Sequence, residues 1–114
     1  MTMPQKTGLN DDSSDGRDSS HRWVTLHDDG RLSIEGQDLG PKVEAFFGVS
    51  EYEFARTVAP EGVARLRELL GIGPGDDLLQ AIRTRFDGPG ASHRLEQFVQ
   101  SSGVASSFWS RHGD

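Results

Sequence analysis

Cysteine is absent from the sequence, and so is any long apolar run. Without cysteine the chain has no disulfide, no thiol nucleophile and no thiolate metal ligand, a composition that fits a reducing compartment. No segment has the length and apolar character of a membrane span, and residues 1–6 lack the apolar region of an export signal. We therefore expect a cytoplasmic protein that does not insert into a membrane.

Basic residues are also scarce. Lysine and arginine number 12 against 18 aspartates and glutamates, which gives a net charge of −6. Binding to nucleic acid without sequence preference requires a basic footprint, so the charge argues against that class of function. An acidic surface suits a basic protein partner, although it also serves solubility alone.

Apolar residues are few in the first part of the chain. Residues 1–20 are rich in serine, aspartate and glycine, and such a segment cannot offset its ordering entropy by burial. We therefore predict a disordered polar tail over residues 1–20. Residues 21–114 have the length of one domain, and we predict a single α+β domain there.

Two short runs in which apolar and polar residues alternate flank an Asp-Asp-Gly turn at residues 28–30. This pattern is typical of a β-hairpin. A two-residue loop would place Leu26 opposite Ser33, whereas a three-residue loop closed by a left-handed Gly30 places Leu26 opposite Leu32. The second register keeps apolar residues together, so we predict the three-residue loop.

The predicted register separates two faces of the hairpin. The first is aliphatic and consists of Val24, Leu26, Leu32 and Ile34. The second carries a tryptophan among polar side chains: Trp23, Thr25, His27, Arg31, Ser33 and Glu35. Because an isolated hairpin is only marginally stable, we expect helices to cover the aliphatic face and to leave the tryptophan face open to water.

The rest of the chain supplies a third strand and several helices. A short helix is predicted over residues 42–47, and a strand over residues 51–58 with Arg56 on its aromatic side. Three longer helices follow, the first beginning at Pro60 and ended by Gly71, the second capped by the pair Asp76-Asp77 and the third by Ser92. A closing strand is predicted around Phe108.

These elements define the predicted fold class, which is α+β. The sheet is small and antiparallel, and it contains the hairpin with one or two further strands. Three to four helices pack on one of its faces.

The sequence shows no motif that would carry catalysis or hold a cofactor. Four histidines, at positions 21, 27, 93 and 112, lack the spacing of metal ligands. The glycine-rich stretch at residues 71–75 follows a helix and contains Pro74, so it is a connector and not a phosphate loop. We therefore predict no catalytic residues, no metal and no cofactor, and we favour a protein that is not an enzyme.

A binding surface is the remaining candidate for function. Tryptophan and arginine are enriched at binding hot spots. The predicted partner-facing patch consists of Trp23, Arg31, Arg56, Trp109 and Arg111. Two alternatives stay open for the tryptophans: either they face a partner, or they stack on each other and complete a second small core.

Three segments are similar to a group of short, acidic, hypothetical proteins of actinobacteria. They read Ile-Glu-Gly-Gln-Asp-Leu-Gly at residues 34–40, Glu-Tyr-Glu at 51–53 and Phe-Trp-Ser-Arg at 108–111. The resemblance covers about residues 22–114 and implies no activity for any residue.

Two hypotheses of function follow. The first is a non-enzymatic protein-binding module of the cytoplasm, in a more specific form an immunity-like or antitoxin-like inhibitor that occupies a basic toxin. The second is a small enzyme or ligand-binding protein whose pocket lies between the sheet and the helices near Arg56 and Tyr52. We expect another protein as partner and no nucleic acid or membrane, and the oligomeric state stays open.

Overall fold

The computed structural model describes residues 5–9, 13–15, 18–40 and 51–113. Six strands lie in this part of the chain: β1 (Gln5–Gly8), β2 (Ser13–Asp15), β3 (Asp18–Leu26), β4 (Leu32–Leu39), β5 (Glu51–Val58) and β6 (Ser106–Gly113). Three helices join β5 to β6: α1 (Pro60–Leu70), α2 (Leu78–Arg85) and α3 (Ala91–Ser101). The helix predicted over residues 42–47 lies outside the described residues.

All strands belong to one antiparallel sheet in the order β1-β3-β4-β5-β6. The short strand β2 also pairs with β3, at residues 18–20, while β1 pairs with residues 23–26. The α+β class and the antiparallel sheet are thus confirmed. The sheet has more strands than predicted, because β1 and β2 extend it beyond the hairpin.

The hairpin of β3 and β4 has the predicted register. Val24 lies opposite Ile34, and Leu26 lies opposite Leu32. Gly30 has a φ of 95°, a left-handed value that a residue with a side chain rarely adopts, and its N–H donates to the carbonyl of His27. The three-residue loop is therefore confirmed, and with it the separation of the two faces.

The core lies between the sheet and the three helices. From the sheet it takes the aliphatic side chains Val24, Leu32, Ile34 and Val58, all with no exposed surface. From the helical part of the chain it takes buried residues with helical spacing: Val63, Leu66, Leu78, Leu79, Ile82, Phe86, Leu95 and Val99. Each fully buried side chain of this size contributes roughly 1.5–3 kcal/mol to folding through loss of apolar surface.

The described part of residues 1–20 differs from the predicted disordered tail. Strands β1 and β2 and the start of β3 lie within it, and Leu9 is buried with 2% of its surface exposed. The Leu9 N–H donates to the carbonyl of Arg22 at 3.0 Å. Composition did not predict these strands, because strand pairing satisfies backbone N–H and C=O groups whatever the side chains are. Leu9 is the buried apolar residue of this segment.

The helix boundaries agree with the prediction at two places and differ at a third. Gly71 ends α1 in the left-handed conformation with a φ of 74°, and the Asp77 carboxylate accepts from the N–H of Gln80 at the start of α2. Ser92 does not cap α3, which begins at Ala91 after a left-handed Gly90. The buried methyl group of Ala91 belongs to the core, and this packing places the helix start before the serine.

None of the described helices is long and apolar enough to cross a membrane.

Candidate binding face of the sheet

Alternation along the strands divides the sheet into two faces. In β3, β4 and β5, all the residues that belong to the core have even numbers. The odd-numbered residues of β3 to β6 share the opposite side, because each pairing joins odd with odd residues. We call this second side the outer face.

A cleft of about 300 Å³ lies on the outer face. Trp23 of β3 and Trp109 of β6 line it from two sides, and the pairing register places Glu35 and Ala55 between them. The remaining residues that line it are Gly36, Gln37, Glu53 and Phe54. The cleft is thus bounded by two indole rings, and its charged groups are two carboxylates.

The two tryptophans do not stack on each other. The strands β4 and β5 separate them, and three strand spacings amount to about 14 Å. Trp109 has 53% of its surface exposed, whereas Trp23 is partly buried and the Lys6 Nζ lies 4.5 Å from the centre of its ring. The open alternative of a second small core built on a tryptophan pair is therefore wrong.

The indole nitrogen of Trp23 is unusual. Its Nε1 atom is buried and has no hydrogen-bond partner among the described residues. An unpaired buried donor costs free energy, and most such groups in folded proteins are paired. The ring is therefore held in place by packing and by the cation–π contact with Lys6, and not by a hydrogen bond.

Three polar side chains form a network at the end of the cleft. Gln37 Nε2 donates to Glu51 at 2.9 Å and to Glu53 at 3.4 Å. The hydrogen bond between the two carboxyl groups lowers the pKa of Glu51 and raises the pKa of Glu53. Arg111 Nη2 lies 3.3 Å from Glu53 Oε2 and opposes part of the rise in the pKa of Glu53.

The outer face is less open near the hairpin turn than the sequence predicted. Thr25 and Ser33 retain 8% and 4% of their exposed surface. Their hydroxyls are hydrogen bonded, since Ser33 Oγ lies 2.8 Å from His27 Nε2 and Thr25 Oγ1 donates to Glu35 Oε2 at 3.3 Å. Neighbouring polar side chains close this part of the face, so the accessible surface lies around Trp109.

Three of the five predicted patch residues lie on the outer face, namely Trp23, Trp109 and Arg111. Arg31 is at the hairpin turn, where its Nε donates to Asp29 Oδ2 at 2.7 Å. The backbone N–H of Arg31 also donates to the Asp29 carboxylate and lowers the pKa of Asp29.

Arg56 does not join the other residues of the predicted patch. It lies on the core side of the sheet, opposite Ile34, because β5 alternates in phase with β4. Its Nη1 donates to Ser106 Oγ at 3.0 Å, and its Nε is 3.9 Å from Glu96. The guanidinium also packs over the ring of Phe108, 5.2 Å from its centre. Arg56 therefore contacts both the sheet and α3, although its buried Nε has no hydrogen-bond partner among the described residues.

A second cleft of about 300 Å³ lies beside Arg56, between the sheet and α3. The side chains that line it are Arg22, Asp38, Tyr52, Phe54, Ser92, His93, Glu96 and Phe108. Arg22 within it is paired with Asp38 at 2.7 Å. The ligand-binding hypothesis thus has a cleft near Tyr52, but Arg56 is not among the residues that line it.

The sequence did not predict that Glu35 and Ala55 lie between the two tryptophans. Glu35 was assigned to the tryptophan face of the hairpin, but its neighbour from β5 depends on which strands are adjacent. Only the pairing of β4 with β5 places Ala55 beside Glu35 and Trp109 beside Ala55. No local pattern in the sequence carries that information.

Comparisons with protein-family models, with curated proteins and with solved structures give no match for this chain. Within the ranges that the structure describes, no three histidine, aspartate or glutamate side chains come together as metal ligands do.

Proposed function

We propose that this chain is a non-enzymatic protein-binding module and that its partner binds to the outer face. The observation that carries the proposal is the cleft between Trp23 and Trp109, with one wall, Trp109, half exposed to solvent. Tryptophans at the centre of an interface supply large contact area with little loss of rotamer freedom. Arg111 beside the cleft adds a second residue type that is common at hot spots.

The chemistry of the cleft favours a basic partner. Its carboxylates are Glu35 and Glu53, of which Glu53 is paired with Arg111, and the whole chain carries a net charge of −6. Complementary charge speeds association and selects against acidic partners. We accordingly propose the cytoplasmic immunity-like or antitoxin-like role, in which the module occupies a basic protein such as a toxin.

Affinity capture from the native host tests this proposal with two matched variants. Trp109→Ala removes an aromatic side chain from the outer face, and Phe108→Ala removes an equally exposed one from the opposite side of the same strand. We expect the wild type and Phe108→Ala to capture one protein in common, and Trp109→Ala to lose it. The proposal fails if no captured protein depends on Trp109.

Titration of the purified partner then tests the charge argument. We expect a dissociation constant in the nanomolar range at low salt, rising by at least about tenfold between 50 and 500 mM salt as screening weakens the attraction. Binding that does not change with salt concentration would remove the basic partner from the proposal.

A further inference from the structure

The strand β6 forms one edge of the sheet, and it is poorly protected. It pairs with β5 on one side and with no described strand on the other. Residues 107–111 are all exposed, and two of them, Phe108 and Trp109, are the large hydrophobic side chains of the described residues that remain exposed. Proline and charged side chains usually protect an edge strand, and the eight residues of β6 include no proline and one residue of fixed charge, Arg111. Such an edge is a template for another strand.

The register of the sheet shows which backbone groups of β6 point outward. The His27 N–H donates to the Arg31 carbonyl, so odd-numbered residues of β4 exchange hydrogen bonds with β3. The pattern alternates across each strand, and therefore even-numbered residues of β4 bond to β5 and odd-numbered residues of β5 bond to β6. The outward residues of β6 are consequently the even ones: Ser106, Phe108, Ser110 and His112.

The backbone groups of these four residues can pair with those of the same four residues in a second copy of the chain. Two antiparallel copies of β6 related by a two-fold axis at Trp109 pair Phe108 with Ser110 and Ser106 with His112. All four outward residues of each copy then exchange hydrogen bonds, about eight in total. An axis at Phe108 or at Ser110 leaves one outward residue of each copy out of the pairing.

We propose that a second copy of this chain binds along β6 in this register and that the two sheets become continuous. On the core side, the large ring of Phe108 would lie opposite the small Ser110 of the second copy. On the outer face, Trp109 would lie opposite its own copy in a pair without hydrogen bonds, where Cα atoms are about 4.5 Å apart and side chains are closest. Aromatic pairs are among the favourable cross-strand pairs.

The charges on β6 allow this pairing. Arg111 would lie opposite Ser107 of the second copy, so no like charges meet directly across the strands. The two chains carry −6 each and repel one another at long range, and this repulsion is screened by salt. Dimerisation therefore strengthens as salt is added, the reverse of the dependence expected for a basic partner.

The dimer does not rest on the proposed function, but it bears on it. Trp109 lines the cleft of its own copy, so the two clefts would meet at the two-fold axis and form one longer surface. Ser110 does not line the cleft. A substitution at Ser110 therefore separates the two proposals, because it affects the dimer and leaves the cleft residues in place.

Sedimentation equilibrium of the full chain tests the dimer. We expect twice the mass of one chain at high protein concentration, with a dissociation constant that falls as salt is raised. Ser110→Pro removes one outward N–H from each copy where proline is tolerated in an edge strand, and we expect it to raise the dissociation constant at least about tenfold. Ser110→Ala keeps the N–H and should dimerise like the wild type. A wild type that stays monomeric near 1 mM, or a proline variant that dimerises unchanged, overturns the proposal.

Cross-linking provides a second test that does not depend on the proline variant. The chain has no cysteine of its own, so a single introduced cysteine reports on one position. Oxidised Trp109→Cys should form a disulfide-linked dimer rapidly, because the two copies of position 109 are within disulfide range. Ser107→Cys on the same face should not, because its two copies lie about 13 Å apart along the strands. Equal rates for the two variants would contradict the register and the proposal.

Discussion

Gly36 is the point at which the sheet has no room for a side chain. A Cβ atom there would lie 2.5 Å from Cε1 of Phe54 and 2.9 Å from Cδ of Arg22. Phe54 thus crosses over the backbone of β4, and its ring stacks with Phe108 with centres 6.2 Å apart. A glycine in the middle of a strand is here required by a close approach of its neighbours.

A substitution at Gly36 should therefore destabilise the fold. We expect Gly36→Ala to lower the free energy of unfolding by about 1–3 kcal/mol, the usual cost of overpacking. The matched control is Gly8→Ala in β1, where nothing lies within 4 Å of the added Cβ. The control should be neutral or slightly stabilising, since it removes freedom from the unfolded chain. Equal losses in urea denaturation of the two variants would show that Phe54 does not cross Gly36.

The carboxyl pair of Glu51 and Glu53 provides a test by titration. The hydrogen bond to Glu51 raises the pKa of Glu53, because an ionised Glu51 accepts the proton that Glu53 retains. This proton stabilises the fold below the ordinary pKa of glutamate, and the contribution is lost as the pH rises through the raised pKa of Glu53.

We expect Glu51→Gln to bring the pKa of Glu53 down toward its ordinary value, because the substitution removes the charged acceptor. Carboxyl carbon chemical shifts followed by NMR from pH 2 to 8 measure this directly. Glu68→Gln, in an exposed ion pair with Arg65 on α1, is the control and should leave Glu53 unchanged. A Glu53 that titrates identically in wild type and Glu51→Gln would contradict the pair.

Among the elements, the hairpin was predictable and the N-terminal strands were not. The hairpin has a period of two, a turn signal and only one register that keeps its apolar residues together, so local information was sufficient. Strand β1 offers no such pattern, because its side chains are polar and its stability comes from pairing with β3 and from Leu9. Pairing between distant segments has no signature in a polar stretch.

The candidate site likewise depends on contacts between segments that are distant in the sequence. The side of β5 that carries Arg56 was predicted from alternation, yet the residue was placed in the binding patch. Its partners, Ser106 and Glu96, are 50 and 40 residues further along the chain, and neither could be identified before the fold was known. Trp23, Trp109 and Arg111 were predicted as residue types common at interfaces, but the cleft between the tryptophans depends on the strand order.

The helix caps give a prediction at this scale. Asp77 accepts from the N–H of Gln80 at 3.1 Å and satisfies one backbone group at the start of α2. We expect Asp77→Ala to lower the free energy of unfolding by about 1 kcal/mol, whereas Asp77→Asn keeps an acceptor and should cost little. Thermal unfolding followed by circular dichroism measures both. A loss as large in Asp77→Asn as in Asp77→Ala would show that the cap is not the source of the effect.

At the scale of the whole molecule, one face of the sheet is committed to folding and the other carries the residues proposed for binding. The helices and the aliphatic strand residues form one core, while Trp109 and the carboxylates lie on the other side. The chain is small and acidic, and the residues proposed for binding are not part of its core. Two aromatic residues next to each other in β6, Phe108 and Trp109, point to opposite sides of the sheet.

The most direct test of this division is fluorescence quenching of the two tryptophans separately. The chain contains only these two, so Trp23→Phe leaves Trp109 as the reporter and Trp109→Phe leaves Trp23. Acrylamide should quench Trp109 several-fold more strongly than Trp23, measured at a protein concentration low enough to keep the chain monomeric. Equal and weak quenching of both would mean that Trp109 is covered within the single chain, and the outer face would then not be a binding surface.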